Sequence, residues 1–210
     1  MAITPESYGM IADRLAMRHF TAQSELPEEL DPIGLDALDA FLRNLLVTDG
    51  PVSRSLEAHT LLPIRVEPVE QSETLPPAAA AAHLQLAEDE ACLRRRVVMR
   101  IAGPEPSVWA ESFVVPGRVP IEFLRALRDN SHGIGGSLEQ LKLESWRELL
   151  WFGLATAPPW PEPGNPARTL RRAYLILIDR RPALMITEDF ALAERGDGFT
   201  IAGADRMTRH

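Results

Sequence analysis

Arg95 and Glu188 are the residues of this chain whose type and position point to chemistry. Each falls on the apolar face of a segment that alternates like a β-strand. Over residues 93–101 one face reads Arg95, Val97, Met99 and Ile101, and over 184–190 one face reads Leu184, Ile186, Glu188 and Phe190. A charge on such a face is costly unless it is paired or serves a ligand. An arginine there suits a carboxylate, because its planar fork binds in two-point fashion and stays charged when buried. A carboxyl in the same apolar setting can donate or accept a proton. The bland alternatives are, for Arg95, a buried ion pair with Glu188 or another acid and, for Glu188, an acid at a strand end near the surface. The opposite face of 93–101 reads Arg94, Arg96, Val98 and Arg100, which suits water.

The elements that must hold these residues can be read from periodicity. Thr4-Pro5-Glu6 signals a helix start and predicts a helix to about Phe20. Residues 21–32 are acidic and proline-bearing and read as a linker. Leu35, Leu38, Phe41, Leu42 and Leu45 repeat at helical spacing until Asp49-Gly50. A short helix is expected over 52–59, and Ile64, Val66 and Val69 suggest a strand. Residues 75–84, with Pro76-Pro77 and five alanines, read as a surface excursion. Strands at 93–101 and 108–115 flank a turn at Gly103-Pro104, which predicts an antiparallel hairpin. Helices are expected over 121–128 and, after a glycine-led turn, within 133–141. Residues 145–154 fit strand or helix and read better as strand. Residues 156–166 form a proline-rich loop. A second hairpin has arms at 170–178 and 183–192 with its turn at 179–182, and residues from Gly196 onward read as a tail. Strand after strand behind a helical N-terminal block predicts an α+β fold: a single domain with a mostly antiparallel β-sheet flanked by helices. Its boundaries are expected at 35–195, between an N-terminal helix and linker (1–34) and a C-terminal tail (196–210).

Composition narrows the function classes. The 210 residues carry a formal net charge of −8, with 45% hydrophobic and 25% charged residues, as in an ordinary soluble globular domain. The acidic balance argues against nucleic acid and against anionic membranes as partners. No apolar stretch approaches the roughly 18–20 residues that span a bilayer, and no signal peptide is evident. The single cysteine, Cys92, cannot form an internal disulfide and fits a reducing cytoplasm. Phosphate-loop, dinucleotide-binding, HExxH and GxSxG motifs are absent from the sequence. The five histidines are scattered singly, so neither metal nor cofactor is expected. Gly133-Ile134-Gly135-Gly136 reads as the beginning of a helix rather than a phosphate site.

Several segments, in order, resemble the chorismate pyruvate-lyase (4-hydroxybenzoate synthase) family, especially its small lyase-like branch. Leu45-Leu46-Val47-Thr48-Asp49-Gly50-Pro51-Val52-Ser53-Arg54 is similar to the helix end before the first strand. Leu93-Arg94-Arg95-Arg96-Val97-Val98-Met99 is similar to the family's arginine strand, and Ala110-Glu111-Ser112 through Val115-Pro116 to its hairpin partner. Ile134-Gly135 stands where the family has a Leu-Gly or similar pair. Arg172 through Pro182-Ala183-Leu184-Met185-Ile186-Thr187-Glu188 resembles the closing hairpin. The likeness runs from about Leu35 to Leu192.

It implies an antiparallel α+β domain, a fold shared with effector-binding domains of some transcription regulators. It also implies the cleavage of chorismate to 4-hydroxybenzoate and pyruvate. By the resemblance, Arg95 holds the ligand carboxylate, Glu188 meets the ring oxygen of the product, and Ile134 with Gly135 makes a backbone contact at the pocket mouth. Pro51 stands where the family often has a threonine or methionine lining the pocket, so that either neighbouring Val52 takes that role or the pocket differs; Ala78 to Ala82 has no counterpart. The expected partner is a small cyclic or aromatic carboxylate. The acidic residues before Leu35 show no helix-turn-helix pattern, so a DNA-binding regulator is not expected. A stand-alone binder, or a lyase for another cyclic carboxylate, remains an alternative.

Overall fold

Period-two segments dominate the chain, and they pair into one sheet. In the computed structural model, the described residues are 14, 16–101, 104–129, 133–160, 168–196 and 198–203. The strands are β1 (Arg65–Thr74), β2 (Cys92–Arg100), β3 (Val108–Val114), β4 (Ser145–Ala155), β5 (Thr169–Ile178), β6 (Arg181–Arg195) and β7 (Gly198–Ile201). The helices are α1 (Ala40–Val47), α2 (Val52–Thr60), α3 (Ala78–Leu84), α4 (Ile121–Arg128) and α5 (Ile134–Gln140). Six strands run in the order β1-β2-β3-β6-β5-β4, every pair antiparallel, and β7 pairs with the far end of β6. The fold is α+β with an antiparallel sheet, as the sequence predicts. No helix among the described residues is long and apolar enough to cross a membrane.

Alternation sorts the strands onto two buried faces. On one, Leu42, Leu45 and Leu46 of α1 and Val52 and Leu56 of α2 pack against Met99, Phe152, Leu170 and Phe190. Further along the same face, Phe123 and Leu127 of α4 and Leu138 of α5 pack against Leu93, Val114, Ile176 and Leu184. These two helical packs leave a space between them. On the other face, Ala80 and Leu84 of α3 join Cys92, Phe113, Leu175 and Met185.

Several expectations need correction. Residues 75–84 are not a surface excursion, since α3 buries Ala80 and Leu84. Alanine is the best helix former and Pro77 precedes the first turn, so the run is helical despite its weak amphipathic contrast. Arg118 donates to the carbonyls of Leu84, Gln85 and Pro182, tying the end of α3 to the start of β6. The apolar repeat from Leu35 is not one helix. A single turn (Leu35–Ala37) precedes α1, which starts where the Asp39 side chain accepts from the Leu42 amide at 2.7 Å. Residues 21–32 do more than link. Thr21 and Ala22 donate to the Leu149 and Leu150 carbonyls, Asp31 and Leu154 exchange two backbone bonds, and the Gln23 amide pairs with the Phe152 backbone. This covers the edge that β4 would otherwise expose. Beyond Gly196, residues Gly198–Ile201 form β7 rather than a tail.

The expected helix from Thr4 lies largely outside the described residues, of which 16–19 are helical. Gly103 and residues 161–166 of the proline-rich loop also lie outside them. The second hairpin turns over two residues, not four: Asp179 and Arg180 both have positive φ (50° and 62°), the type I′ geometry that matches strand twist.

The outer face of β2 is not simply solvated. Arg94 and Arg96 meet Glu70, Arg96 meets Glu111 at 2.7 Å, and Arg100 meets Glu67 at 2.9 Å. Val98 is buried with Trp109 and Trp160. Further along this face Asp189 is fully buried, held by Arg171 Nε at 3.0 Å and by the Thr169 hydroxyl at 2.6 Å. Burial nevertheless outweighs these partners and raises its pKa from 3.8 to about 6. A carboxyl whose folded pKa lies above its unfolded value favours the native state at low pH. That advantage is lost as pH rises from about 4 to about 6. Asp189→Asn should therefore gain stability relative to the parent over that interval, by up to about 3 kcal/mol. Thermal unfolding of both proteins from pH 4 to 7 checks this; a difference that does not change with pH would contradict it.

Candidate functional site

The space between the two helical packs is a cavity of about 340 Å³. Its floor is the inner face of the sheet, with Val97, Met99, Ala110 and Ile186 among the floor residues. The residues that the sequence singles out all reach it: Arg95, Glu188, Val52, Ile134 and Gly135 line the same cavity. Pro51 lines it as well, so the departure from the family pattern sits in the wall itself.

Local structure explains each placement. Arg95 projects from β2 opposite Ser112 of β3, whose hydroxyl donates to the Arg95 carbonyl at 3.3 Å. The Arg95 residue is only 3% exposed. Burial makes its guanidinium easier to deprotonate than a free one, which is the electrostatic penalty that a bound anion would relieve. Thr48 to Pro51 break the chain between α1 and α2, and Pro51 directs Val52 into the wall. Across the opening, α5 begins at Ile134. A Cβ added to Gly135 would stand 2.8 Å from Pro51 Cγ, so the two helix starts can approach this closely only with glycine there.

Glu188 sits on β6, 4% exposed. The pairing of Arg95 with Glu188, one of the bland alternatives, is replaced by a different pair. Arg172 of β5, directly opposite Glu188 in the register and fully buried, donates from Nε to Glu188 Oε2 at 2.8 Å, with its Nη2 at 2.7 Å from the same oxygen. Arg172 Nη1 donates to the carbonyls of Leu45 and Leu46, the latter at 3.0 Å. Those carbonyls belong to the last turn of α1, where a cation complements unsatisfied acceptors and the helix dipole. The second oxygen of Glu188 accepts from the Tyr174 hydroxyl at 3.3 Å. Burial, then the neighbouring Glu188, raise the Tyr174 pKa, so the phenol stays a donor. The Arg172 guanidinium also lies 4.9 Å from the Tyr174 ring centroid.

Arg172 and Tyr174 are the residues that reading the sequence did not assign. The signal was present, since Leu170, Arg172, Tyr174 and Ile176 alternate on one face of β5. The adjacent pair Arg171-Arg172 obscured which arginine points inward. Arg147 of β4 also lines the cavity. Together these groups form a chamber of mixed polar and apolar lining with one buried cation on β2 and, two strands away, a carboxyl held in place by an arginine and a tyrosine. Such a chamber can bind a flat organic acid and present a fixed carboxyl to it.

Comparison with known proteins agrees with this architecture. Among solved structures, the chain is similar to PhnF from Mycobacterium smegmatis, at 14% identity and TM-score 0.55, covering 73% of this chain and 67% of that one. The effector domain of the same protein gives 13% identity and TM-score 0.52, over 68% and 88% of the two chains. At such identities the likeness is one of fold. Among curated proteins, none matches the chain. Residues 46–195, most of the chain and all of the strands that carry Arg95, Arg172 and Glu188, match the family described as "Chorismate pyruvate-lyase Rv2949c-like", and the chain belongs to that family.

Proposed function

We propose that this protein is a chorismate pyruvate-lyase, converting chorismate to 4-hydroxybenzoate and pyruvate. The observation that carries this reading is that Arg95 and Glu188 line one cavity with an apolar floor, with Glu188 fixed from behind by Arg172. The Arg95 fork takes the ring carboxylate, and Glu188 lies toward the opposite end of the ring, at the hydroxyl and the enolpyruvyl ether. The ring C–O bond to the enolpyruvyl group breaks as the ring carbon bearing the hydroxyl loses its proton. The departing enol oxygen takes up a proton and the enol ketonises to pyruvate. Aromatisation drives the step, and the protein's part is to orient the ring, exclude water and hold a carboxyl where protons move.

A second reading, binding without turnover, draws on one feature. Both oxygens of Glu188 already have protein partners, Arg172 on one and Tyr174 on the other. Incubation of the protein with chorismate separates the two. Stoichiometric 4-hydroxybenzoate and pyruvate, with kcat lowered at least a hundredfold in Glu188→Ala, is the result expected of the lyase. Tight binding of 4-hydroxybenzoate with no product from chorismate would replace it with the binder.

A further inference from the structure

Turnover uses Arg95 and Glu188; of the two other arginines that line the cavity, Arg54 is paired with Glu139 at 2.7 Å, and Arg147 is left without a task. Arg147 lies on β4 and is half-buried. It lines both the main cavity and an adjoining outer hollow of about 290 Å³, and the two share Gly50, Pro51 and Gly135 as walls. It therefore stands where the cavity opens outward. Its Nε is buried without a hydrogen-bond partner. Among the described residues, no carboxylate lies within ion-pair distance of it. Its guanidinium lies 5.7 Å from the Tyr174 ring centroid and pairs with the Tyr174 hydroxyl, which leaves the Nε–H as the donor without an acceptor. A buried arginine N–H with no acceptor, facing a cavity, is a place where a ligand oxygen belongs.

The sheet order gives the geometry. Arg95 is on β2, Glu188 on β6 and Arg147 on β4, in the sequence β2-β3-β6-β5-β4. The two arginines are four strand spacings apart, roughly 19 Å along the sheet, with the acid midway. Long side chains from both flanks converge on one chamber. We propose that Arg147 is a second carboxylate-binding residue, so that the cavity selects a dicarboxylate held at its two ends by Arg95 and Arg147. This rests on the lyase reading for the identity of the ligand. Chorismate carries one carboxylate on its ring and one on its enolpyruvyl group, with the bond to be broken between them. Arg95 then holds the ring, Arg147 holds the departing arm, and Glu188 sits under the reacting carbons. The aromatic product has one carboxylate and does not engage Arg147.

The test compares the two ligands in a Glu188→Gln background, which removes the acid, with and without Arg147→Gln. Calorimetric affinity for chorismate should fall at least tenfold, the loss expected for a charge-assisted hydrogen bond. Affinity for 4-hydroxybenzoate should stay within twofold, and Arg147→Lys should recover part of the chorismate affinity. Equal losses for both ligands would mean that Arg147 only supports Tyr174 and Glu188, and would overturn the proposal, as would no loss for either. Turnover in the otherwise unaltered protein keeps this apart from the lyase reading. A protein that splits chorismate with a KM insensitive to Arg147→Gln retains the lyase and discards this role. A protein that binds chorismate without splitting it, yet loses tenfold on Arg147→Gln, retains this role and discards the lyase. Binding of neither ligand discards both.

Discussion

Titration of the Arg95→Ala protein with 4-hydroxybenzoate is expected to give no measurable heat at concentrations that saturate the parent. Arg95 is almost fully buried on the inner face of β2, and the floor beside it is Val97, Met99 and Ala110. In such surroundings a carboxylate cannot be replaced by water at equal energy, so its cation dominates affinity. Truncating one partner of a buried, hydrogen-bonded charge pair costs about 2–5 kcal/mol, or roughly thirtyfold to several thousandfold in Kd. Chorismate should lose affinity in parallel, because the ring carboxylate is common to both ligands. Retained tight binding of 4-hydroxybenzoate by Arg95→Ala would show that the carboxylate lies elsewhere.

Arg172→Ala should have the largest effect on stability. One guanidinium satisfies Glu188 and the final carbonyls of α1, and it is fully buried. Removing it leaves a buried carboxyl facing a void and two helix-end carbonyls without their donor. Breaking a buried pair in this way costs about 3–5 kcal/mol. Lysine cannot substitute, since a point charge does not span three acceptors in two directions. Urea denaturation of Arg172→Ala measures the loss. Adding Glu188→Leu to it should return part of the stability, because the orphaned acid is then gone. A loss under 1 kcal/mol would mean that the arginine is dispensable to the fold and that its contacts are incidental.

Legibility varied with the range of the interaction. Arg95 and Glu188 could be found because a period of two exposes a charge on an apolar face without reference to any other strand. The same rule assigns Arg172 inward, but only once the phase of β5 is fixed, and Arg171-Arg172 offers two candidates for it. Arg171 in fact points to the other face, to Asp189. Which acid each arginine meets depends on the register of β5 against β6, and nothing in either strand alone states it. Residues 21–32 look like a linker because their structure consists of backbone bonds to β4, a partner more than a hundred residues away. The run of alanines in α3 was misread for a different reason. A helix made of small apolar residues has almost no polar face to contrast with, so periodicity is silent and propensity alone must decide. Asp39 shows the reverse: a capping residue inside an apolar repeat, whose side chain marks where the helix begins.

The adjacent acids Glu188 and Asp189 face opposite sides of the sheet and meet the adjacent arginines Arg172 and Arg171. This arrangement acts as a lock on strand alignment. Sliding β5 past β6 by one residue would turn each arginine to the face away from its acid. Sliding by two would place Glu188 opposite Leu170 or Tyr174. A two-residue slip leaves all four charges unmatched, and a one-residue slip sets one arginine opposite an acid but strands the other arginine and acid, so misaligned hairpins are disfavoured. The two strands are also joined by a two-residue turn, so the lock closes through contacts that are local in the chain. The acid of the site is thus aligned within a hairpin whose loop is only two residues long, and β2 and β4 hold Arg95 and Arg147 to either side of it.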